Sequence, residues 1–349
     1  MTKKIIIRLP NWIGDFVMAT PLLSALRDSF PQAEITVMCQ APLVPLIEQD
    51  PRIDEILSFS KQSLKFSHRE GRKNVVAKLR QGSYDIAIAA TNSFSSAWFF
   101  WQARIPVRIG FSAHFRSFLL TKRLPLPTTE EHLVDTYQRL LQPLLPDSKK
   151  YSPKLAVAPA AVAAVATALQ NRGLKPHHKL ITINAFAAYG PAKCWPLVKF
   201  QKLAQKLLED PTVVVVFIGD KKSRDSIQTI TKSLGQRGLN FAGLTTLAEM
   251  VALVKLSQLL ITNDSGPMHI AAADTFFHPA IKPTRVVAIF GSTNPRKTGP
   301  YGSGSVITKQ VACSPCYRRH CPIDFRCMHQ ISVEQVLHKV QQKERNCYV

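Results

Sequence analysis

Acidic residues are scarce in this chain: 23 Asp and Glu face 45 Lys and Arg, a formal charge of +22 over 349 residues. That imbalance calls for a polyanionic partner, whether nucleic acid, an anionic membrane surface or a phosphorylated substrate. No run of eighteen apolar residues occurs, so no membrane span is expected. Met1-Thr2-Lys3-Lys4 leads into only three isoleucines before Arg8, which does not make a signal peptide. A cytoplasmic location follows, and there the seven cysteines, an odd number, read as thiols rather than a disulfide framework. No G-x-G-x-x-G follows the first strand and no G-x-x-x-x-G-K-[ST] occurs, which argues against nicotinamide dehydrogenases and P-loop enzymes. Asp-x-Asp is absent as well. A diphosphate handled by this chain would therefore be neutralised by protein cations and helix ends, with no metal and no cofactor expected.

What is present is a globular chain, 46% hydrophobic, of a length that suggests two domains. Short apolar runs alternate with amphipathic segments. Lys4 to Leu9, Glu34 to Cys39, Glu55 to Phe59, Tyr84 to Ala90 and Pro106 to Phe111 read as strands. Asp15 to Ser29, Glu70 to Gln81, Ser93 to Ala103 and His132 to Leu145 read as helices between and after them. The pattern restarts after an Ala-rich helix. Lys179 to Ala185, Thr212 to Ile218, Leu239 to Ala242, Leu259 to Thr262 and Thr284 to Phe290 are the second set of strands. Such alternation predicts an α/β fold with parallel sheets covered on both faces. The expected domains are 1–158 and 177–330, joined by a linker helix over 159–176 and closed by a helical segment over 331–349 that packs back on the first domain.

Several residues stand where chemistry is done. Leu259 to Thr262 ends in Asn263-Asp264-Ser265-Gly266, and Pro267 opens a helix. The unpaired N–H groups of such a first turn, with His269 beside them, suit a phosphate. The plain alternative is a βα turn that Asp264 and Ser265 merely cap. Asp15 lies behind Gly14 at the first strand-to-helix turn, where a carboxylate can accept the proton of an attacking hydroxyl or simply sit at the helix start. Lys193, on the turn Gly190 to Pro196, can pair with a phosphate, and Asp225 can bind ribose hydroxyls. Cys313, Cys316, Cys321 and Cys327 have the spacing C-x₂-C-x₄-C-x₅-C. Without two matched C-x₂-C pairs, a packed loop is the better reading than zinc. Trp98-Phe99-Phe100-Trp101 reads as core rather than as a contact for acyl chains. Twelve Lys and Arg between Lys61 and Arg123, against Glu70 and Asp85 alone, point to a functional basic surface.

Together these motifs carry a resemblance. Arg8-Leu9-Pro10-Asn11-Trp12-Ile13-Gly14-Asp15, followed by Thr20-Pro21-Leu22-Leu23, resembles the N-terminal signature of the ADP-heptose lipopolysaccharide heptosyltransferases, glycosyltransferase family 9. GPAKCWP, TNDSGPMHIAAA and Phe290-Gly291-Ser292-Thr293-Asn294-Pro295 agree with it, and CSPCYRRHCPIDFRCM is similar to the cysteine-rich run of the heptosyltransferase II branch. The resemblance implies a GT-B fold of two Rossmann-like domains with parallel sheets facing across a cleft, the first binding acceptor and the second the nucleotide sugar. It implies metal-independent, inverting transfer of heptose from ADP-heptose to the first heptose of Kdo-lipid A. Asp15 would be the general base and Lys193 the cation on the diphosphate. Asp225, Thr245, Asp264, Ser265, Gly266 and His269 would hold the donor, and Asn11, Trp12 and Arg116 would touch the acceptor. Peripheral contact with the inner membrane is expected, and nucleic acid is not. The rivals are a transferase for another core acceptor and a non-catalytic basic protein. The chain departs from the family at Asn184 to Tyr189, where an acidic residue is usual, and in extra residues from Thr275 to Lys282.

Overall fold

The structure is a computed structural model that describes residues 2–64, 67–276, 278 and 281–342. Its strands are β1 (Lys4–Arg8), β2 (Glu34–Gln40), β3 (Glu55–Phe59), β4 (Ile86–Ala89), β5 (Val107–Phe111), β6 (Lys122–Leu124), β7 (Lys154–Leu155), β8 (Lys179–Asn184), β9 (Val213–Ile218), β10 (Gly238–Asn240), β11 (Leu259–Asn263), β12 (Asp274–Thr275), β13 (Arg285–Ile289) and β14 (Ser305–Ile307). Helices α1 (Ile13–Met18), α2 (Pro21–Ser29), α3 (Arg69–Gln81), α4 (Phe94–Gln102) and α5 (Leu133–Arg139) accompany the first set of strands. Helices α6 (Pro159–Gln170), α7 (Leu197–Leu207), α8 (Arg224–Thr231), α9 (Leu247–Leu256), α10 (Gly266–Ala272), α11 (Pro295–Thr298), α12 (Arg326–His329) and α13 (Val333–Gln341) accompany the second.

Two compact units result: Met1–Ala156 with Asp274–Phe276, and Val157–Ala273 with Phe277–Val349. The first holds a six-stranded sheet in the order β3-β2-β1-β4-β5-β6, and the second one in the order β10-β9-β8-β11-β13-β14. Every pairing in both is parallel. Each sheet runs outward both ways from its first strand, the doubly wound order in which ligands gather at the carboxyl ends where the winding reverses. In the first unit that point lies beyond β1 and β4, and in the second beyond β8 and β11.

The central strands explain the arrangement. All six residues of β9, Val-Val-Val-Val-Phe-Ile, are buried, as are the five of β11. Strands apolar on both faces are stable only between helix layers. In the second unit Trp195, Phe200, Phe217 and Ile261 belong to one core cluster. In the first, Ile6, Phe99 and Phe100 do the same, which settles the middle of the aromatic run as core.

Two segments belong elsewhere than the sequence suggests. The Ala-rich α6, expected as a linker, is part of the second unit, where Val165 and Leu169 are buried. The closing helix α13, expected on the first domain, places Val333 and Val336 in the second unit's core, because its apolar stripe matches α7 and β13. Of the extra residues 275–282, Thr275 lies in β12, which pairs in parallel with β7, while 277, 279 and 280 lie outside the described residues. Among the described residues no helix is long and apolar enough to cross a membrane.

Candidate active site

In the second unit, β8, β11 and β13 lie side by side, with Thr262 opposite Asn184 and Asn263 opposite Ile289. Their carboxyl ends bring three loops together, and two asparagines pin them. The Asn184 amide donates to Ser265 Oγ at 2.7 Å and to Thr262 Oγ1 at 3.1 Å. Asn263 Oδ1 accepts the Trp195 N–H at 2.9 Å while its amide donates to the Ala185 carbonyl at 2.8 Å. The loop that carries Lys193 is thereby fixed at both ends.

Lys193 Nζ pairs with Asp264 Oδ2 at 2.5 Å, and Thr293 Oγ1 donates to the same oxygen at 2.6 Å. The side chains are 13% and 4% exposed, so water screens the pair little. The ammonium also stands 4.7 Å from the centre of the Tyr189 ring. Beside the pair, Ser265 precedes α10; its side chain caps no N–H of the first turn, while its carbonyl accepts the Met268 N–H at 3.1 Å. His269, the fourth residue of α10, is 6% exposed. A lysine buried at the far side, Lys255, donates to the Ala271 carbonyl at 3.0 Å and to that of Ala273, which clamps the end of this seven-residue helix.

The cysteine-rich run supports that loop. Ala192 N–H donates to the Arg319 carbonyl at 3.1 Å, and Tyr189 OH donates to the Tyr317 carbonyl at 2.6 Å. Gly190 has φ 150°, and a Cβ there would stand 2.5 Å from the Arg319 carbonyl oxygen, so only glycine permits this approach. On its other side Tyr317 N–H donates to the Ser292 carbonyl at 2.7 Å. Cys313, Cys316, Cys321 and Cys327 are free thiols. Burial first, then the other three thiols, push that of Cys327 above its ordinary range. Among the described residues no group of His, Cys, Asp and Glu is placed to hold a metal ion.

In the first unit, Asp15 is the third residue of α1, and Trp12 is the capping residue. The Tyr137 hydroxyl of α5 is hydrogen-bonded to the Asp15 carboxylate; burial and that carboxylate drive the phenol well above its ordinary range. Tyr137 therefore stays protonated and donates. Tyr137→Phe should make the Asp15 carboxylate protonate at higher pH, because a carboxylate that loses a donor protonates more readily. An NMR titration of that carboxyl in both proteins checks the direction. Asn11 is exposed and accepts from Arg8 Nη2 at 2.6 Å, and Trp12 is 55% exposed.

The profile of Glycosyltransferase family 9 (heptosyltransferase) matches residues 72–325. The chain belongs to this family. Lipooligosaccharide heptosyltransferase 2 of Haemophilus ducreyi is 31% identical over 324 residues, covering 88% of this chain and 89% of the relative. Heptosyltransferase II of Escherichia coli, described as ADP-heptose lps heptosyltransferase II, superposes with a TM-score of 0.79 at 28% identity over 97% of both chains. A family 9 glycosyltransferase from Veillonella parvula has the same fold, with a TM-score of 0.83 at 24% identity over 97% of this chain and 96% of that one. The fold is GT-B, and the protein is a glycosyltransferase rather than a non-catalytic basic protein.

The remaining expected residues of this glycosyltransferase are less uniform. Asp225 is exposed in the first turn of α8, while Asp220 stands directly beyond β9 and caps the following turn through Ser223 N–H at 2.9 Å. Thr245 is half-buried next to Thr246, which forms a capping box with Glu249. Arg116 is a correction. It is wholly buried, and its guanidinium donates to the carbonyls of Phe111, Thr91 and Ser93, to Ser96 Oγ and to Asn92 Oδ1. Burial lowers it to about 10, and it has no free face for an acceptor. Arg116→Met should cost about 3 kcal/mol or more by stranding these acceptors. A fall in melting temperature, with acceptor KM of the folded fraction unchanged, is the expected reading.

Proposed function

We propose that this glycosyltransferase transfers heptose from ADP-L-glycero-β-D-manno-heptose to the first heptose of the Kdo-lipid A inner core, with inversion and without a metal ion. The similarity to heptosyltransferases 2 supports the substrate pair. The observation that carries the chemistry is the Lys193–Asp264 pair at the strand ends beside α10. A cation already held in a shielded place, beside the start of α10, is the non-metal equivalent of a diphosphate clamp.

In this reading the acceptor hydroxyl attacks the anomeric carbon, the bond to ADP breaks, and Asp15 takes the hydroxyl proton while Tyr137 orients its carboxylate. Lys193, Ser265 and the Gly266 N–H receive the charge that develops on the diphosphate. Asp264 repels phosphate by its own charge, so its part is to hold Lys193. His269 and Thr245 line the donor side, Asp225 reaches the ribose, and Asn11 and Trp12 meet the acceptor. The lipid-anchored acceptor places the work at the cytoplasmic face of the inner membrane, with the protein bound peripherally.

The test offers ADP-heptose with acceptors bearing zero, one or two heptoses, with and without a chelator. Extension of the one-heptose acceptor alone, unaffected by chelation, is expected. Preference for either of the other acceptors would reassign the step, and loss of activity on chelation would end the metal-free mechanism.

A further inference from the structure

The crossover from β5 to β6 exposes aromatic rings that the catalytic reading does not use. Phe115 is 94% exposed and Phe118 72%, the largest exposures among the big apolar side chains of the described residues. Both sit on a rigid base. Arg116 lies between them with its side chain wholly buried, tied to the loop 91–96 and to the end of β5. Gly110 makes room for it, since a Cβ there would meet the guanidinium at 3.1 Å. His114 and Phe115 both have left-handed backbones, φ 49° and 57°, a conformation that residues other than glycine adopt at a cost. The fold therefore turns Phe115 outward by construction. Phe118 is steadied from behind by Phe94, with ring centres 6.3 Å apart.

The flanking sequence is basic. No Asp or Glu occurs between Asp85 and Glu130, and Lys122 and Arg123 are exposed on the edge strand that follows. We infer that this crossover is a membrane-docking element, with Phe115 and Phe118 entering the headgroup boundary of an anionic bilayer while Lys122 and Arg123 meet the lipid phosphates. Rings on a fixed tip with cations beside them are what an interfacial anchor requires. A second copy would bring like charge against like. A nucleic-acid strand wants a basic groove with a row of stacking platforms along it, and here two exposed rings share one short crossover. The inference deepens the proposed function, in which the acceptor is lipid-anchored.

Sedimentation of the full chain with vesicles of phosphatidylglycerol and phosphatidylethanolamine tests it. Wild type should bind these and bind pure phosphatidylcholine vesicles poorly. Phe115→Ser with Phe118→Ser should lower the partition about tenfold or more, the size expected for removing two rings from an apolar phase. Because both rings are exposed, the melting temperature and turnover of a delipidated acceptor should not change. Lys122→Gln with Arg123→Gln should weaken binding and flatten its dependence on salt. Val198→Ser, which removes an equally isolated exposed apolar side chain of α7, should have no effect. Vesicle binding by the double Phe variant equal to wild type would overturn the inference. So would a loss confined to self-association or to a single-stranded oligonucleotide. Vesicle binding needs no turnover, so failure to transfer heptose would count against the functional reading and leave this result standing.

Discussion

Asp15→Asn should lower kcat by about a hundred- to ten-thousand-fold, the range that a positioned general base contributes, and leave ADP affinity unchanged. The asparagine is the same size, keeps an acceptor oxygen for the Tyr137 hydroxyl and cannot take a proton. Structure and donor binding should therefore survive while chemistry fails. Calorimetric titration with ADP beside steady-state turnover measures both. Turnover near wild type would remove Asp15 from the mechanism. The comparison with Tyr137→Phe is informative, because that change leaves the base in place and alters only its donor. A pH-dependent loss in one variant and a pH-independent loss in the other would distinguish the base from the residue that orients it.

The second large effect is at Lys193. Lys193→Met should lower kcat on the order of a hundred- to a thousand-fold, as removal of a group that stabilises developing charge does. It should also weaken ADP binding and, unlike Asp15→Asn, destabilise the protein. Asp264 is 4% exposed and would lose its cation while keeping the Thr293 hydroxyl, and breaking a buried pair from one side costs about 3–5 kcal/mol. Adding Asp264→Asn removes the stranded charge. The double variant should regain most of the stability and none of the activity, which thermal unfolding and turnover would show side by side. Recovery of both would mean that the pair is structural only.

Much of the fold could be read because its central strands are long and apolar: Val213–Ile218 and Leu259–Asn263 have little choice but to lie between helix layers. The edges could not. Lys122–Leu124 and Ser305–Ile307 are three residues each, and they are strands only because β5 and β13 offer free carbonyl and N–H groups beside them. The segment read as one helix from Asp15 to Ser29 is two, since Pro21 offers no N–H to continue the first and opens the second. Asp15 in the first unit, and Lys193 and Asp264 in the second, could be picked out as candidates by their positions at strand ends. Tyr137 could not, because its bond to Asp15 spans more than a hundred residues and leaves no local pattern. Arg116 misled for the opposite reason: an arginine in a basic loop looks solvated, and only the surrounding carbonyls explain its burial. The cysteine run drew attention to its thiols, whereas its backbone carbonyls at Tyr317 and Arg319 are what reach the Lys193 loop.

Trp195, two residues after Lys193, donates its backbone N–H to Asn263 Oδ1 and its indole N–H to the Ile331 carbonyl at 3.0 Å, a carbonyl that Lys199 also reaches at 2.8 Å. Residues synthesised well over a hundred positions later thus hold the lysine's turn in register. During translation the second unit stays unfinished until α13 has emerged, and a fragment cut before Ile331 should be inert however well its sheets assemble.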